Sequence, residues 1–144
     1  MRILHVDDNP NFADLVTTFL EREDERFSVT SATSAAEALD LIAEQPPHCI
    51  VSDYNMPGRD GIELLRSVRH EWPELPFILF TGEGSEAVAS EAISAGVTDY
   101  LQKGTGSGQY KLLANRIANA VSHHRAKSEL SRDIRQDGDR AGRR

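Results

Sequence analysis

With 144 residues, 39% of them hydrophobic, and a formal net charge of −7, the chain is long enough for one domain with its own core and short for two. The charge is uneven: residues 1–124 carry nine Lys and Arg against nineteen Asp and Glu, net −10, while residues 125–144 are net +3, so the body is a poor match for nucleic acid. There is no apolar run long enough to cross a bilayer and no signal-peptide pattern, and the single cysteine, Cys49, excludes an internal disulfide, which together point to a cytoplasmic protein.

The first element is RILHV, residues 2–6, a short apolar run that reads as a buried strand and leads straight into Asp7 and Asp8. Two carboxylates about 4 Å apart repel by roughly 4 kcal/mol at an effective dielectric of 20, so solvent, a proton or a cation has to offset them. Taken alone, the pair would also suit a solvated turn that caps the next helix. That helix, residues 11–23, has the stripe Phe12, Leu15, Val16, Phe19 and Leu20. FSVTS at 27–31 is a second strand. Ser34 and Glu37 form a capping-box pattern before a helix at 35–44, which ends ahead of Pro46-Pro47.

CIVS at 49–52 is a third strand, followed by Asp53 and a turn-rich stretch. Asp60 and Glu63 repeat the capping pattern ahead of a helix at 61–71. PFILF at 76–80 is a fourth strand with Thr81 after it, and residues 85–95 form a small-residue helix that stops at Gly96. TDYLQ at 98–102 is a fifth strand, followed by Lys103 and a glycine-rich GTGSG. GTGSG lacks the GxGxxG spacing and reads as a flexible lead-in to the last helix, 109–124. That helix continues to about 135 through Leu130 and Ile134, and the remaining residues are expected to be disordered. His5 and Cys49 read as packed residues. His123 and His124, adjacent on a helix, point to different faces and read as solvated.

Five strand–helix repeats, three of whose strands are apolar without alternation, imply an α/β fold with a parallel sheet covered on both faces. Asp7, Asp8, Asp53, Thr81 and Lys103 then all fall at carboxyl ends of strands, the edge where open α/β sheets bind ligands. Three carboxylates against one lysine leave about two negative charges uncompensated, which suits a hard dication such as Mg²⁺ that pairs carboxylates with phosphate. A carboxylate in such a place can itself act as the nucleophile in phosphoryl transfer. Lys103 is one of only three lysines among sixteen basic residues, and that scarcity beside an acid excess fits a halophilic cytoplasm.

The motifs VDD at 6–8, SDYNMPGRDG at 52–61, TG at 81–82 and DYLQK at 99–103 resemble those of response-regulator receiver domains of two-component signalling, chemotaxis receivers among them. The resemblance covers residues 1–124 and leaves 125–144 as a basic C-terminal extension. It implies a single flavodoxin-like (βα)5 doubly wound sheet of order 2-1-3-4-5, an order that belongs to the family rather than to any deduction from the pattern.

The resemblance also implies roles. Asp53 becomes the phosphoacceptor, taking a phosphoryl group from a sensor histidine kinase or a small donor. Mg²⁺ is held by Asp8 directly, by Asp7 through water, by Asp53 and by the backbone carbonyl of Asn55. Lys103 and Thr81 contact the phosphoryl group, Tyr100 turns inward, and Pro57, Gly58 and Gly61 shape the loop, with glycine supplying positive φ. The output is the face of helix 4, strand 5 and helix 5, directed at an unknown downstream effector, with no direct nucleic-acid or membrane partner.

Asp99 and Arg116 match one charge pair of a dimer interface used in one branch of that family. Helix 4 has no basic residue to complete the network, so a monomer or weak dimer is expected. One departure is Gly104, which stands where the family usually has proline, so a cis bond after Lys103 is not expected. Two other classes compete. A Mg²⁺-dependent phosphohydrolase would need a substrate-gripping cap that these short connections cannot build. A phosphate-independent interaction module would have no use for the complete acid, hydroxyl and lysine set. The chain reads either as a stand-alone receiver or as the front of a longer regulator, for which 125–135 would suit a connecting helix.

Overall fold

A computed structural model describes residues 1–82, 85–104, 106 and 108–142, with residues 129–142 as backbone only. Strands β1 (Arg2–Val6), β2 (Ser28–Ala32), β3 (Cys49–Ser52), β4 (Phe77–Thr81) and β5 (Asp99–Gln102) alternate with helices α1 (Pro10–Glu23), α2 (Ala35–Glu44), α3 (Gly61–Glu71), α4 (Glu86–Ser94) and α5 (Gly108–Gly142). The strands pair in parallel in the order β2-β1-β3-β4-β5, as the resemblance implies. Strand order reverses at β1 and β3, so a crevice opens at their carboxyl ends.

Successive side chains of a strand face opposite sides, and the core divides accordingly. Leu4 and Val6 of β1 join Ile42, Leu65 and Val68 in a layer under α2 and α3. Ile3 joins Val16, Leu20, Leu113 and Ile117 in a layer under α1 and α5. β3 and β4 are buried along their whole length, which is why their sequences do not alternate. Each fully buried Leu, Ile or Phe in these layers contributes about 1.5–3 kcal/mol.

The helix ends follow local chemistry, with two departures from expectation. Asn9, and not the acid pair before it, caps α1, accepting from the backbone N–H groups of Asn11 and Phe12. Asp60 and Glu63 form the full reciprocal box on α3. On α2 only half of it forms: Ser34 accepts from the Glu37 N–H, but the Glu37 carboxylate turns to the N–H and hydroxyl of Thr33. Helix α5 runs to Gly142, past the expected end near 135 and into the stretch expected to be disordered. Residues 125–142 contain no proline and several arginines and a glutamine, which helices accommodate readily, so no backbone stop lies at 135. The side chains of Leu130 and Ile134 lie outside the described residues, as do Thr105 and Ser107 of the glycine-rich loop and residues 143–144.

Arg69 of α3 ties together the edge of the sheet opposite the crevice. Its guanidinium donates to the carbonyls of Gly96 (2.8 Å), Trp72 (3.2 Å) and Leu75 (2.6 Å), and to Thr98 Oγ1 (3.3 Å). A planar fork with five donors reaches several acceptors at once, and a lysine does not. Arg69→Lys is therefore expected to lower stability by about 2 kcal/mol through unsatisfied carbonyls, read as the shift in urea midpoint at constant slope. An unchanged midpoint would show that water replaces these bonds at no cost.

Candidate functional site

The rim residues are placed by the sheet itself. Beyond the last residue of β1, the Asp7 N–H still donates to the Ala32 carbonyl at 3.0 Å. Beyond β3, the Asp53 N–H donates to the Val6 carbonyl at 2.9 Å, and beyond β5 the Lys103 N–H donates to the Thr81 carbonyl at 2.9 Å. Each of these three side chains thus hangs from one extra rung of the ladder. Thr81 is the last residue of β4 rather than the first after it, and it is fully buried.

Asp7, Asp8 and Asp53 each bring a carboxylate oxygen within 4.8 Å of the others. Lys103 Nζ lies 3.3 Å from Asp7 Oδ2 and 3.6 Å from Asp53 Oδ1. The three acids differ in setting. Asp7 is 1% exposed, and its Oδ1 accepts from the Asn9 N–H at 2.9 Å. Asp53 is half-buried, and its Oδ1 accepts from the Tyr54 N–H at 2.8 Å. Asp8 is exposed, and its carboxylate has no hydrogen-bond or charge partner among the described residues. Burial pushes the Asp53 carboxyl above its usual range; Lys103 opposes this, Asp7 adds to it, and the Tyr54 N–H and Thr81 hydroxyl pull it back.

The loop after Asp53 needs its glycines for two different reasons. Gly58 has φ +83°, a left-handed turn. Gly61 does not have positive φ, contrary to expectation. A Cβ there would overlap the carbonyl oxygen of Asp53 and come within 2.9 Å of Leu79 Cδ1. Its N–H donates to the Tyr54 carbonyl at 2.8 Å, so the start of α3 presses directly against the backbone that carries Asp53. Asn55 and Pro57 are exposed in the same loop.

Other singled-out residues lie away from the acid cluster. Tyr100 is half-buried against the α2–α3 layer, with its hydroxyl enclosed and unpartnered among the described residues. Arg116 donates to Asp99 Oδ2 at 2.8 Å, so the pair read as an interface is joined within the chain. The peptide after Lys103 is trans, with the Gly104 N–H donating to Gln109 Oε1 at 3.0 Å.

Two residues beside the site were not legible as such. Phe12, whose spacing marks it as core, has its ring centroid 4.1 Å from Lys103 Nζ. His5, 1% exposed, lies two residues before Asp7 on the same side of β1, with Nδ1 unpartnered among the described residues. The available signal was their position: a large ring on the first turn after the acid pair, and an imidazole one side-chain repeat before it.

A parallel sheet of this order with acids, a hydroxyl and a lysine on its carboxyl rim is the arrangement of a receiver-type signalling domain. The chain belongs to the response regulator receiver domain family, whose model matches residues 3–114. It is 34% identical over 130 residues to the nitrogen assimilation regulatory protein NtrX of Azorhizobium caulinodans, covering 89% of this chain and 28% of that one. It is 43% identical over 106 residues to an uncharacterized 14.6 kDa protein of Leptolyngbya boryana, covering 72% of this chain and 79% of that one.

Among solved structures, a CheY-like receiver domain protein from Methanospirillum hungatei superposes with TM-score 0.78 at 26% identity, covering 88% of this chain and 97% of that chain. NtrX from Brucella abortus does so with TM-score 0.79 at 32% identity, covering 93% of this chain and 30% of that one. The chain thus spans under a third of the NtrX proteins it matches. Receiver domains are signalling switches rather than enzymes, work with histidine kinases and downstream effectors, and typically bind Mg²⁺ through an acidic pocket. No helix among the described residues is long and apolar enough to cross a membrane.

Burial lowers the His5 imidazole pKa to about 4, with a smaller opposing effect of Asp7 and a smaller lowering effect of Lys103. The unfolded chain takes up that proton near pH 6.5, so stability is lost as pH falls from there toward 4, by up to about 3 kcal/mol. Asp53, with a raised carboxyl, acts in the opposite sense: acidification through its titration stabilises the fold. His5→Leu should flatten the loss between pH 6.5 and 4.5 in urea unfolding with chelator present. An unchanged slope in the variant would place the proton uptake elsewhere.

Proposed function

We propose that this domain is a phosphorylation-activated switch in which the Asp53 carboxylate accepts a phosphoryl group from a partner kinase's phosphohistidine or from a small acyl phosphate. The observation that supports it best is the meeting of three carboxylates within 4.8 Å of one another, two of them paired to the same lysine. A carboxylate oxygen of Asp53 attacks phosphorus, the bond from phosphorus to the donor's nitrogen or oxygen breaks, and an aspartyl phosphate remains.

The donor set fits Mg²⁺: it offers hard oxygen ligands with surplus negative charge, one of them solvent-facing. When bound, the ion neutralises charge on the phosphoryl oxygens. Asp8, exposed and unpartnered, suits direct ligation. Asp7 already spends one oxygen on Lys103 and the other on the Asn9 N–H, which suits a water-bridged role. Asp53 and the Asn55 carbonyl complete the proposed set.

Lys103, already beside Asp53, pairs with the transferred group. Thr81 is fully buried with its hydroxyl already acting on the Asp53 carboxylate, and a loop shift would turn it to the transferred group. Tyr100 has an enclosed hydroxyl with no partner among the described residues, a state that costs about 1–3 kcal/mol and favours a second position for the side chain. A swing from 1:99 to 99:1 between two states needs about 5.5 kcal/mol of differential stabilisation, a sum that contacts from the ion, lysine and threonine can approach together. The response passes to the α4–β5–α5 face and from there to an effector, in a cytoplasmic setting.

Acetyl phosphate with Mg²⁺ should add one phosphoryl group to the wild-type chain by intact mass, and chelator should abolish the addition. Asp53→Asn should take none, and phosphate appearing on that variant would refute the assignment. Lys103→Ala should still be phosphorylated but lose the conformational response, read by NMR at the Tyr100 ring, so a full response without the lysine would remove it from the switch.

A further inference from the structure

We propose that Phe12 is a positioning residue for the Lys103 ammonium, holding it over the phosphoacceptor by a cation–π contact. This rests on the phosphoacceptor reading of Asp53. Lys103 is the last residue before a glycine-rich loop, and the next peptide is stitched down by side-chain hydrogen bonds: the Gly104 N–H donates to Gln109 Oε1 at 3.0 Å, and Gln109 Nε2 donates to the Gly106 carbonyl at 3.1 Å. A long side chain leaving such a place has several rotamers to choose from. Yet Lys103 Nζ meets Asp7 and Asp53, and it also lies 4.1 Å from the Phe12 ring and 5.9 Å from the Phe80 ring.

Phe12 is itself held in place. Its N–H donates to the Asn9 side chain at 3.2 Å, and the Asn9 N–H donates to Asp7 Oδ1 at 2.9 Å. Its ring stacks on Phe80, with centroids 6.4 Å apart and 24° between planes, and lies tilted against His5 at 6.3 Å. The path from Asp7 through Asn9 and Phe12 to Lys103 returns to Asp7, so acid, ring and ammonium form one closed unit.

The ring does something a fourth carboxylate could not. It attracts the ammonium through its quadrupole without adding a further negative charge to compete with an incoming phosphoryl group. A hydrogen-bonding side chain there would also compete with that group for the ammonium's three donors.

The test uses the full chain with Mg²⁺ and beryllofluoride as phosphoryl analogue, its affinity read by fluorine NMR. Phe12→Leu should weaken binding about three- to ten-fold, with Mg²⁺ affinity in the absence of beryllofluoride and thermal midpoint close to wild type. Phenylalanine analogues bearing one, two and three ring fluorines at position 12, nearly unchanged in shape, should weaken it in steps. In a Lys103→Ala background the Phe12→Leu change should fall below about two-fold, because the two residues act as one unit. Equal losses with and without the lysine, or no trend with fluorination, would make Phe12 merely structural and overturn the proposal alone. Wild-type chain that binds no beryllofluoride and takes no phosphoryl group would overturn the phosphoacceptor reading, and this proposal with it.

Discussion

The structure is organised around an electrostatic problem: three carboxylates of like charge held within 4.8 Å at one rim of a sheet, one of them fully buried. Buried ions persist only when paired and hydrogen-bonded. The sheet meets that demand by register. One added backbone bond beyond each of β1, β3 and β5 puts Asp7, Asp53 and Lys103 opposite one another. The side-chain geometry above them depends on rungs below that cannot slip, because a one-residue shift would turn every side chain of a strand to the other layer. The two core layers, packed along the full length of β3 and β4, make that slip costly.

Most of this frame was legible in the sequence, and the reasons are local. Apolar runs of four to six residues bounded by turn chemistry marked the strands. Asp60 with Glu63, and the stop at Gly96 with its φ of +91°, marked helix ends because those signals act through neighbouring backbone groups. The acid, hydroxyl and lysine set was legible because strand ends fix where a following residue must stand. What escaped was tertiary. No local rule decides that the Glu37 carboxylate prefers Thr33 to its own cap, or that Gly61 is required by the approach of the Asp53 carbonyl rather than by a left-handed turn. The contact of Phe12 with Lys103 spans the fold from α1 to the residue after β5, and the helical stripe that identified Phe12 as core is silent about what lies above it.

Some side chains singled out from sequence took other partners. Asp99 and Arg116, matched to a subunit interface, satisfy one another within the chain at 2.8 Å. An exposed pair of this kind contributes about 0–1 kcal/mol. Arg69 was not singled out, yet it ties α3 to the opposite edge through three carbonyls and a hydroxyl. The rim that carries the chemistry and the rim that carries this clasp are at opposite ends of the same strands, so order at one end does not restrict movement of loops at the other.

The two core layers also meet the rim differently. Tyr100 packs with the layer under α2 and α3, whereas Phe12 and Phe80 belong with the layer under α1 and α5. Lys103 leans on the second layer, while β5 carries Tyr100 into the first. On the phosphoacceptor reading, a group bound at Asp53 has both layers within reach of β5 and the residue after it: Lys103 lies against the Phe12 ring of the α1 side, and Tyr100 packs in the α2–α3 layer. Drawing on both lets several modest contacts add, and on the same reading β5, which holds residues of each layer, is the strand through which a bound group would act on the rest of the domain.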